Sequence, residues 1–270
     1  MMGVDRKIGV SEVHRGVTFG FYARNGVLGS PWAREQVDRM LACNVRWVVL
    51  TPIVIQENCH TTRQYRDFEV TPNDQELYTI IDYMHSKGMR VQLRPMTETQ
   101  DGIGRLQVWF QYDGERIPGR RSNHWARWFE SFIWRSIHYA RIAQETGCEM
   151  YGLDSELDRT IDQNSHWKRV IEAVRNVYSG PVTSCHTTHT GLIDFEQVLA
   201  RKDHWFYDLD ALHLSFYAQA AGRPGATVEE MVEYLKPQVQ RFRAMAQQYG
   251  KPLAFGECGC TSSTGGAINP

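Results

Sequence analysis

The stretch HWARWFESFIWRSIHYARIAQETGCEMYGLDSEL, residues 124–157, joins a helix pattern directly to a strand pattern. Its first part is amphipathic and runs to Gly147, a residue type that commonly ends helices. The second part, CEMYGLDSEL, predicts a strand whose last residues include Asp154 and Glu156. A helix followed at once by a buried strand is the repeat unit of a parallel sheet. The stretch therefore predicts an α/β fold with polar side chains where a strand ends.

The same alternation of strand and helix patterns extends along the whole chain. Helix starts are indicated at Ser30 and Thr71, each followed by proline, and at Thr227, which is followed by two glutamates. We expect Pro237 to kink or divide the last helix. The predicted strands comprise residues 16–23, 45–55, 89–95, 148–157, 181–187, 209–217 and 251–257.

The length of 270 residues and the number of strands favour a closed (β/α)8 TIM barrel over an open doubly wound sheet. Too few residues follow Glu257 to supply a further helix and strand, so we expect the eighth strand to be absent from this chain. The prediction is one catalytic domain over residues 1–270 that is short at its C-terminus.

Composition argues against several classes of partner. Lys+Arg 30 against Asp+Glu 31 gives a net charge of −1, which provides no electrostatic basis for binding nucleic acid or an anionic membrane. No run approaches the roughly 20 apolar residues that a membrane span needs, and no secretory signal is recognisable. The six cysteines are scattered, which is typical of buried thiols in a reducing compartment. We expect a cytoplasmic protein, and the oligomeric state stays open.

Polar side chains stand at the predicted carboxyl ends of the strands, where barrel enzymes carry their reactive groups. Glu156 ends the fourth strand and Glu257 the seventh, each after an apolar run. These two strands lie opposite each other in a barrel, so the two carboxylates are expected to face a common cleft. Other polar residues at the strand ends are Tyr22, Asn25, Glu57, Asn58, Arg94, Glu98, Asp154, His186, His189 and Tyr217.

Two carboxylates that face each other across a cleft are typical of glycoside hydrolases. At about 5–5.5 Å one attacks the anomeric carbon while the other protonates the leaving oxygen, whereas larger separations admit a water molecule and invert the anomeric centre. Tyr217, at the end of the sixth strand, is placed to donate a hydrogen bond to Glu257. The residues alone leave both stereochemical outcomes open.

Stretches spread over residues 16–270 resemble glycoside hydrolase family 113, the β-1,4-mannanases of clan A. They include MRVQLRP (89–95), YGLDSELDRTIDQNSHWKRVIEAVRNVYSGPVT (151–183), LDALHLSFY (209–217) and KPLAFGECGCTSSTGGAINP (251–270). The resemblance implies that Glu156 is the acid/base and Glu257 the nucleophile of a retaining enzyme. It also implies β-mannan or manno-oligosaccharide as substrate and no cofactor.

The chain departs from the family pattern at several points. Ser155 stands where many clan members have asparagine, and Arg94 where relatives have lysine. The family continues past the final Asn-Pro with a helix and an eighth strand, which bears a tryptophan under the −1 sugar. Candidate substrate contacts in this chain are Tyr217, Arg94, His186, Glu98, Tyr22 and Trp109.

Some of these residues also have structural interpretations. Arg94 is as well suited to a structural ion pair, with Glu98 or Asp154, as to contact with substrate. Trp109 lies in the long loop after the third strand and is a candidate for stacking on a sugar ring. Trp125, Trp128 and Trp134 share one helix and are expected to serve packing.

Three alternative functions remain from the residues. The first is a catalytically silent carbohydrate-binding barrel, and the second is a retaining glycosidase for another β-glycan, such as a β-glucan or xylan. The third is a metal-dependent hydrolase that uses His186 and His189, although the His-x-His motif usual on the first strand of such barrels is absent.

Overall fold

The computed structural model describes residues 13–261 and 265–268. Its centre is a sheet of seven parallel strands, hydrogen-bonded in sequence order and curved into a nearly closed barrel. The predicted (β/α)8-type fold is therefore confirmed. The strands are β1 (Gly16–Phe19), β2 (Trp47–Leu50), β3 (Arg90–Leu93), β4 (Met150–Ser155), β5 (Val182–Thr187), β6 (Ala211–Phe216) and β7 (Leu253–Cys258).

One α-helix lies in each connection between consecutive strands. Ser30 caps the first helix by accepting a hydrogen bond from the Ala33 amide, and Thr227 caps the last one, as predicted. The second helix is capped by Asn73 rather than Thr71, because Asn73 forms a reciprocal capping box with Glu76. The helices are α1 (Pro31–Ala42), α2 (Asp74–Ser86), α3 (His124–Thr146), α4 (Asn164–Arg175), α5 (Phe195–Ala200) and α6 (Val228–Tyr249).

Pro237 lies inside α6 without dividing it. Proline removes one intrahelical donor, and the long helix continues on both sides of that position. Of the two outcomes expected at Pro237, a kink or a division, the structure does not show the division.

Short strands lie beyond the carboxyl ends of β2 and β3. Ile53–Gln56 pairs in parallel with Met96–Thr99, and Gln64–Tyr65 adds an antiparallel neighbour. The long loop after β3, for which the sequence indicates only turns, also contains a hairpin of Gly114–Ile117 and Arg120–Ser122. These additions lie on the same side of the barrel as the polar strand ends.

Residues of the barrel strands alternate between two environments. One set, including Leu93 and Leu214, packs in the apolar layer between sheet and helices, together with buried Trp125 and Trp128. Trp134 of the same helix is exposed, so these tryptophans pack core and surface as predicted. The alternate strand positions are buried and largely polar, and they include Gln92, Arg94, Thr183 and His213.

Two glycines make room for the large polar side chains inside the barrel. A Cβ at Gly152 would lie 2.6 Å from Arg94 Cγ, and one at Gly256 would lie 2.7 Å from His213 Cβ. Real side chains do not approach so closely, so these strands require glycine at both positions.

Strands β1 and β7 are the two edges of the sheet within the described residues. β7 is only partly covered: its Phe255 is 43% exposed and stacks on Phe216, with ring centroids 4.6 Å apart. None of the described helices is both long and apolar enough to cross a membrane.

Gly152→Ala is expected to destabilise the protein by about 1–3 kcal/mol, because the added methyl group must displace the Arg94 side chain. Urea unfolding of the two proteins measures the difference. Gly222→Ala is the matched control, since its Cβ would meet Tyr234 at an ordinary 3.5 Å. Equal stability of the two variants would contradict the steric argument.

Candidate active site

Glu257 lies near the end of β7. Its carboxylate accepts hydrogen bonds from three side chains, each of which lies on, or directly after, a different strand of the barrel. Arg94 Nη2 donates to its Oε1 at 2.6 Å, and Ser155 Oγ donates to the same oxygen at 2.8 Å. Tyr217 Oη donates to Oε2 at 3.2 Å, which is the hydrogen bond expected from the sequence. Arg94 has no exposed side-chain surface and Glu257 has 12%. The carboxylate is therefore neutralised and oriented while part of it faces the cleft.

A β-bulge directs Glu257 toward these partners. Leu214 is paired with Phe255 but Ser215 with Glu257, so Gly256 is an extra residue in β7. Bulges of this kind bend the strand and reorient a side chain, and they are common beside active sites.

Glu156 follows a second irregularity, at the end of β4. Thr183 is paired with Gly152 and Cys185 with Ser155, so β4 also contains an extra residue just before its end. Glu156 itself has a positive φ of 61°, and its amide donates to the Cys185 carbonyl at 2.9 Å. Such a conformation costs a non-glycine residue on the order of 1–3 kcal/mol and is typical of functional sites.

Arg105 joins Glu156 to Glu98, an arrangement not predicted from the sequence. Its Nη2 donates to Glu156 Oε2 at 2.7 Å, its Nη1 donates to Glu98 Oε1, and its Nε donates to the Ser155 carbonyl at 3.0 Å. The residue begins a 3-10 turn, Arg105–Gln107, in the loop after β3. No local pattern marks this position, since its partners lie on other segments of the chain.

Asp154 is held by a separate set of partners. Arg135 from α3 donates to Asp154 Oδ2 at 2.5 Å, and the Thr97 hydroxyl donates to the same oxygen at 2.7 Å. Arg94 therefore pairs with neither Glu98 nor Asp154, as considered from the sequence, but with Glu257. Glu98 is paired instead with Arg105 of the loop after β3, and Asp154 is paired with Arg135 of α3.

The remaining predicted substrate contacts lie in different surroundings. Tyr22 is 46% exposed after β1, and its φ is 53°. Glu98 is buried against Arg105. Trp109 is partly exposed and lines a cavity of about 350 Å3 together with His60, Phe110, Tyr112 and His124.

His186 faces the helical layer. It is 1% exposed, its ring nitrogens are hydrogen-bonded to Ser184 and Asp158, and it packs against Trp205 and Phe206. The predicted contact with substrate has no support in this position, because the preceding Cys185 faces the barrel interior and side chains alternate along a strand.

The site's neighbours perturb several titrating groups. Burial, the charge of Glu257 and the hydrogen bond to it together raise the pKa of Tyr217 to about 12, so its hydroxyl stays protonated as a donor. Burial raises the pKa of Glu98, although the Arg105 charge opposes this effect. Burial disfavours the charge on Arg105, but the carboxylates of Glu156 and Glu98 raise its pKa overall.

Across residues 13–261 and 265–268, His, Cys, Asp and Glu side chains form no group of three or more that could hold a metal ion. His189 lies beyond the end of β5 and is exposed, with its ring 6.2 Å from that of Tyr217, whereas His186 lies within β5 and is buried. The two histidines of the metal hypothesis therefore face different environments.

Two carboxylates, Glu156 and Glu257, thus lie at strand ends of a parallel barrel, an arrangement typical of glycoside hydrolases of the (β/α)8 type. The sequence model of Glycoside Hydrolase Family 113 matches residues 17–270. The chain belongs to this family, as the resemblance indicated. No curated protein showed significant similarity to it.

Solved structures of family 113 enzymes are similar over nearly the whole chain. One β-1,4-mannanase has 29% identity and a TM-score of 0.81, covering 96% of this chain and 76% of its own. The β-mannanase AaManA from Alicyclobacillus acidocaldarius, in complex with ManMIm, has 27% identity and a TM-score of 0.78, covering 95% and 74%. An endocellulase from Pyrococcus horikoshii, with 15% identity, a TM-score of 0.59 and coverage of 94% and 77%, shares the fold.

Glu257→Gln is expected to lower the free energy of unfolding by about 3–5 kcal/mol, because it leaves the Arg94 charge buried without its anion. The double variant Arg94→Met/Glu257→Gln should lose less than the sum of the single variants. Urea unfolding of all four proteins in the cycle measures both effects.

The control for this cycle is the exposed pair Arg241–Glu196, which also has a short charge-assisted contact. Glu196→Gln should cost at most about 1 kcal/mol. A cost for Glu257→Gln as small as that of the control would show that Arg94 does not depend on its partner.

Proposed function

We propose that this chain hydrolyses β-1,4-mannosidic bonds in β-mannan or manno-oligosaccharides by double displacement with retention. Glu257 acts as the nucleophile and Glu156 as the acid/base. The observation that carries the proposal is the anchoring of Glu257 by Arg94, Ser155 and Tyr217 at the end of β7. Membership of family 113 supports the same assignment.

The contacts of Glu257 suit a nucleophile. Two donors to Oε1 and one to Oε2 fix the orientation of the carboxylate. Oε2 has the weaker hydrogen bond and keeps a lone pair for attack on C1 of the mannosyl unit. As the C1–O bond breaks, the departing oxygen takes the proton of Glu156, and a glycosyl ester forms on Glu257.

The second half of the reaction reverses the proton transfer. Glu156, now ionised, removes a proton from water, whose oxygen attacks C1 and displaces the Glu257 carboxylate. Retention follows because each displacement inverts the same carbon once. The left-handed backbone at Glu156 fixes the direction of its side chain at the edge of the cleft.

The substrate class rests on the relatives. Two solved family 113 enzymes similar to this chain are β-1,4-mannanases with 27–29% identity, and one of them is in complex with ManMIm. Mannose differs from glucose in its axial 2-hydroxyl, so a site selective for mannan must distinguish that group. Partly exposed Tyr22 and Trp109 are candidates for apolar contact with sugar rings.

Mannohexaose is expected to be cleaved, and cellohexaose and xylohexaose to be cleaved far more slowly, with β-anomeric product observed first by NMR. Glu257→Gln should reduce turnover by about 10⁴-fold or more, as expected for loss of a nucleophile. Glu196→Gln, which alters a surface carboxylate paired with Arg241, should keep full activity.

The assignment of Glu156 is tested with Glu156→Ala and an aryl β-mannoside whose leaving group needs no protonation. Azide, which attacks C1 without a general base, should restore turnover of this variant and yield β-mannosyl azide. Release of α-anomer would overturn the retaining mechanism. Saturable binding of mannohexaose with no cleavage would instead favour a silent carbohydrate-binding barrel.

A further inference from the structure

Arg105 is the cation shared by two buried carboxylates. Each of its three guanidinium nitrogens donates a hydrogen bond: to Glu156, to Glu98 and to the Ser155 carbonyl. The side chains of Arg105, Glu98 and Glu156 are 15%, 9% and 11% exposed, so water screens their charges only weakly. We call Glu98, Arg105 and Glu156 the carboxylate–arginine triad.

The triad has one positive charge for two acidic groups. Two other acidic residues at the strand ends have their own cations, since Glu257 pairs with Arg94 and Asp154 with Arg135. With both triad carboxylates ionised, the triad has a net charge of −1 in a poorly solvated place. Uptake of one proton by either carboxylate makes the triad neutral, and this favours a triad that holds one proton.

We propose that Glu98 and Arg105 are positioning residues that control whether the triad's proton resides on Glu156. The carboxylate that Arg105 binds more closely is stabilised as the anion, so the other holds the proton. This inference rests on the proposed function, in which Glu156 must be protonated before glycosidic cleavage and ionised afterwards.

The proton balance agrees with the two displacement steps. Cleavage requires the proton to be on Glu156, and Glu98, whose pKa is raised by burial, competes for it while Arg105 pairs with both carboxylates. Cleavage transfers that proton to the leaving oxygen, and Arg105 then stabilises both carboxylates until water returns a proton to Glu156. The guanidinium itself never loses a proton.

Several other groups influence this equilibrium. The charges of Asp154 on β4 and Glu257 on β7 both act on Arg105. Tyr217 after β6 interacts with Glu156, and Tyr22 after β1 interacts with Glu98, and burial raises the pKa of both phenols. Within the described residues, Arg105 is the cation paired with Glu98 and Glu156. Removing the contact of Arg105 with Glu98, or Arg105 itself, should therefore change the pH range in which Glu156 is protonated.

The test is the pH dependence of kcat/KM for mannohexaose in two variants. In Glu98→Gln, Glu156 is the one carboxylate of the triad that remains to pair with Arg105, and its ionised form is stabilised. The alkaline limb of the profile should therefore move to lower pH by about one unit or more. In Arg105→Met the stabilising cation is lost, so the same limb should move to higher pH. Shifts in opposite directions are a result that a purely structural role cannot produce.

Two controls separate protonation from folding. The dinitrophenyl β-mannoside needs no acid for its first step, so the alkaline limb of its kcat/KM should stay unchanged in Glu98→Gln. Arg241→Met removes a surface arginine from its glutamate and should leave both profiles unchanged. Glu98→Gln keeps the shape of the side chain, so its pH profile still tests the proposal if Arg105→Met does not fold.

A direct readout keeps the inference testable if the proposed function fails. The side-chain carboxyl of Glu156 is followed by 13C NMR across pH in the unaltered protein and in Glu98→Gln, with Glu156→Gln giving the assignment. A lower titration midpoint in Glu98→Gln supports the triad even without turnover. An unchanged midpoint, or unchanged alkaline limbs, would overturn it.

Discussion

The ion pair between Arg94 and Glu257 is the interaction on which the site and much of the barrel interior depend. Arg94 is wholly buried, and an isolated guanidinium in that position would be strongly unfavourable. Its stem fits because β4 has Gly152 beside it, and its partner reaches it because β7 bulges at Gly256. A glycine on one strand and a bulge on another thus accompany one charge pair that spans 163 positions of the chain.

This pair also shows how the charges at the barrel mouth are divided. Arg94 and Arg135 each pair with one carboxylate, Glu257 and Asp154 respectively. Arg105 instead divides its charge between two carboxylates. The ratio of cation to carboxylate therefore differs between neighbouring parts of one cleft, and different surroundings of this kind can give two carboxylates different chemical roles.

The sequence predicted those features that depend on local pattern. Strand and helix periodicity located all seven barrel strands, and side-chain caps located helix starts such as Ser30 and Thr227. The partner of Arg94 and the contacts of Arg105 were missed, because both depend on strand register, on two bulges and on the path of a long loop. His186 was predicted to contact substrate, but Cys185 beside it faces inward, so alternation along the strand turns His186 toward the helices.

The side-chain contacts of Glu257 also help to hold β7, an edge strand of the sheet, against the rest of the barrel. Among the described residues β7 pairs with β6 alone, and its Phe255 is half-exposed, so backbone hydrogen bonds hold only one edge of the strand. Arg94 comes from the end of β3, Ser155 from β4 and Tyr217 from beyond β6, and all three converge on Glu257. These contacts link β7 to the far side of the barrel. The carboxylate that ends this strand therefore helps to hold the strand in place, and its orientation is fixed by the same contacts.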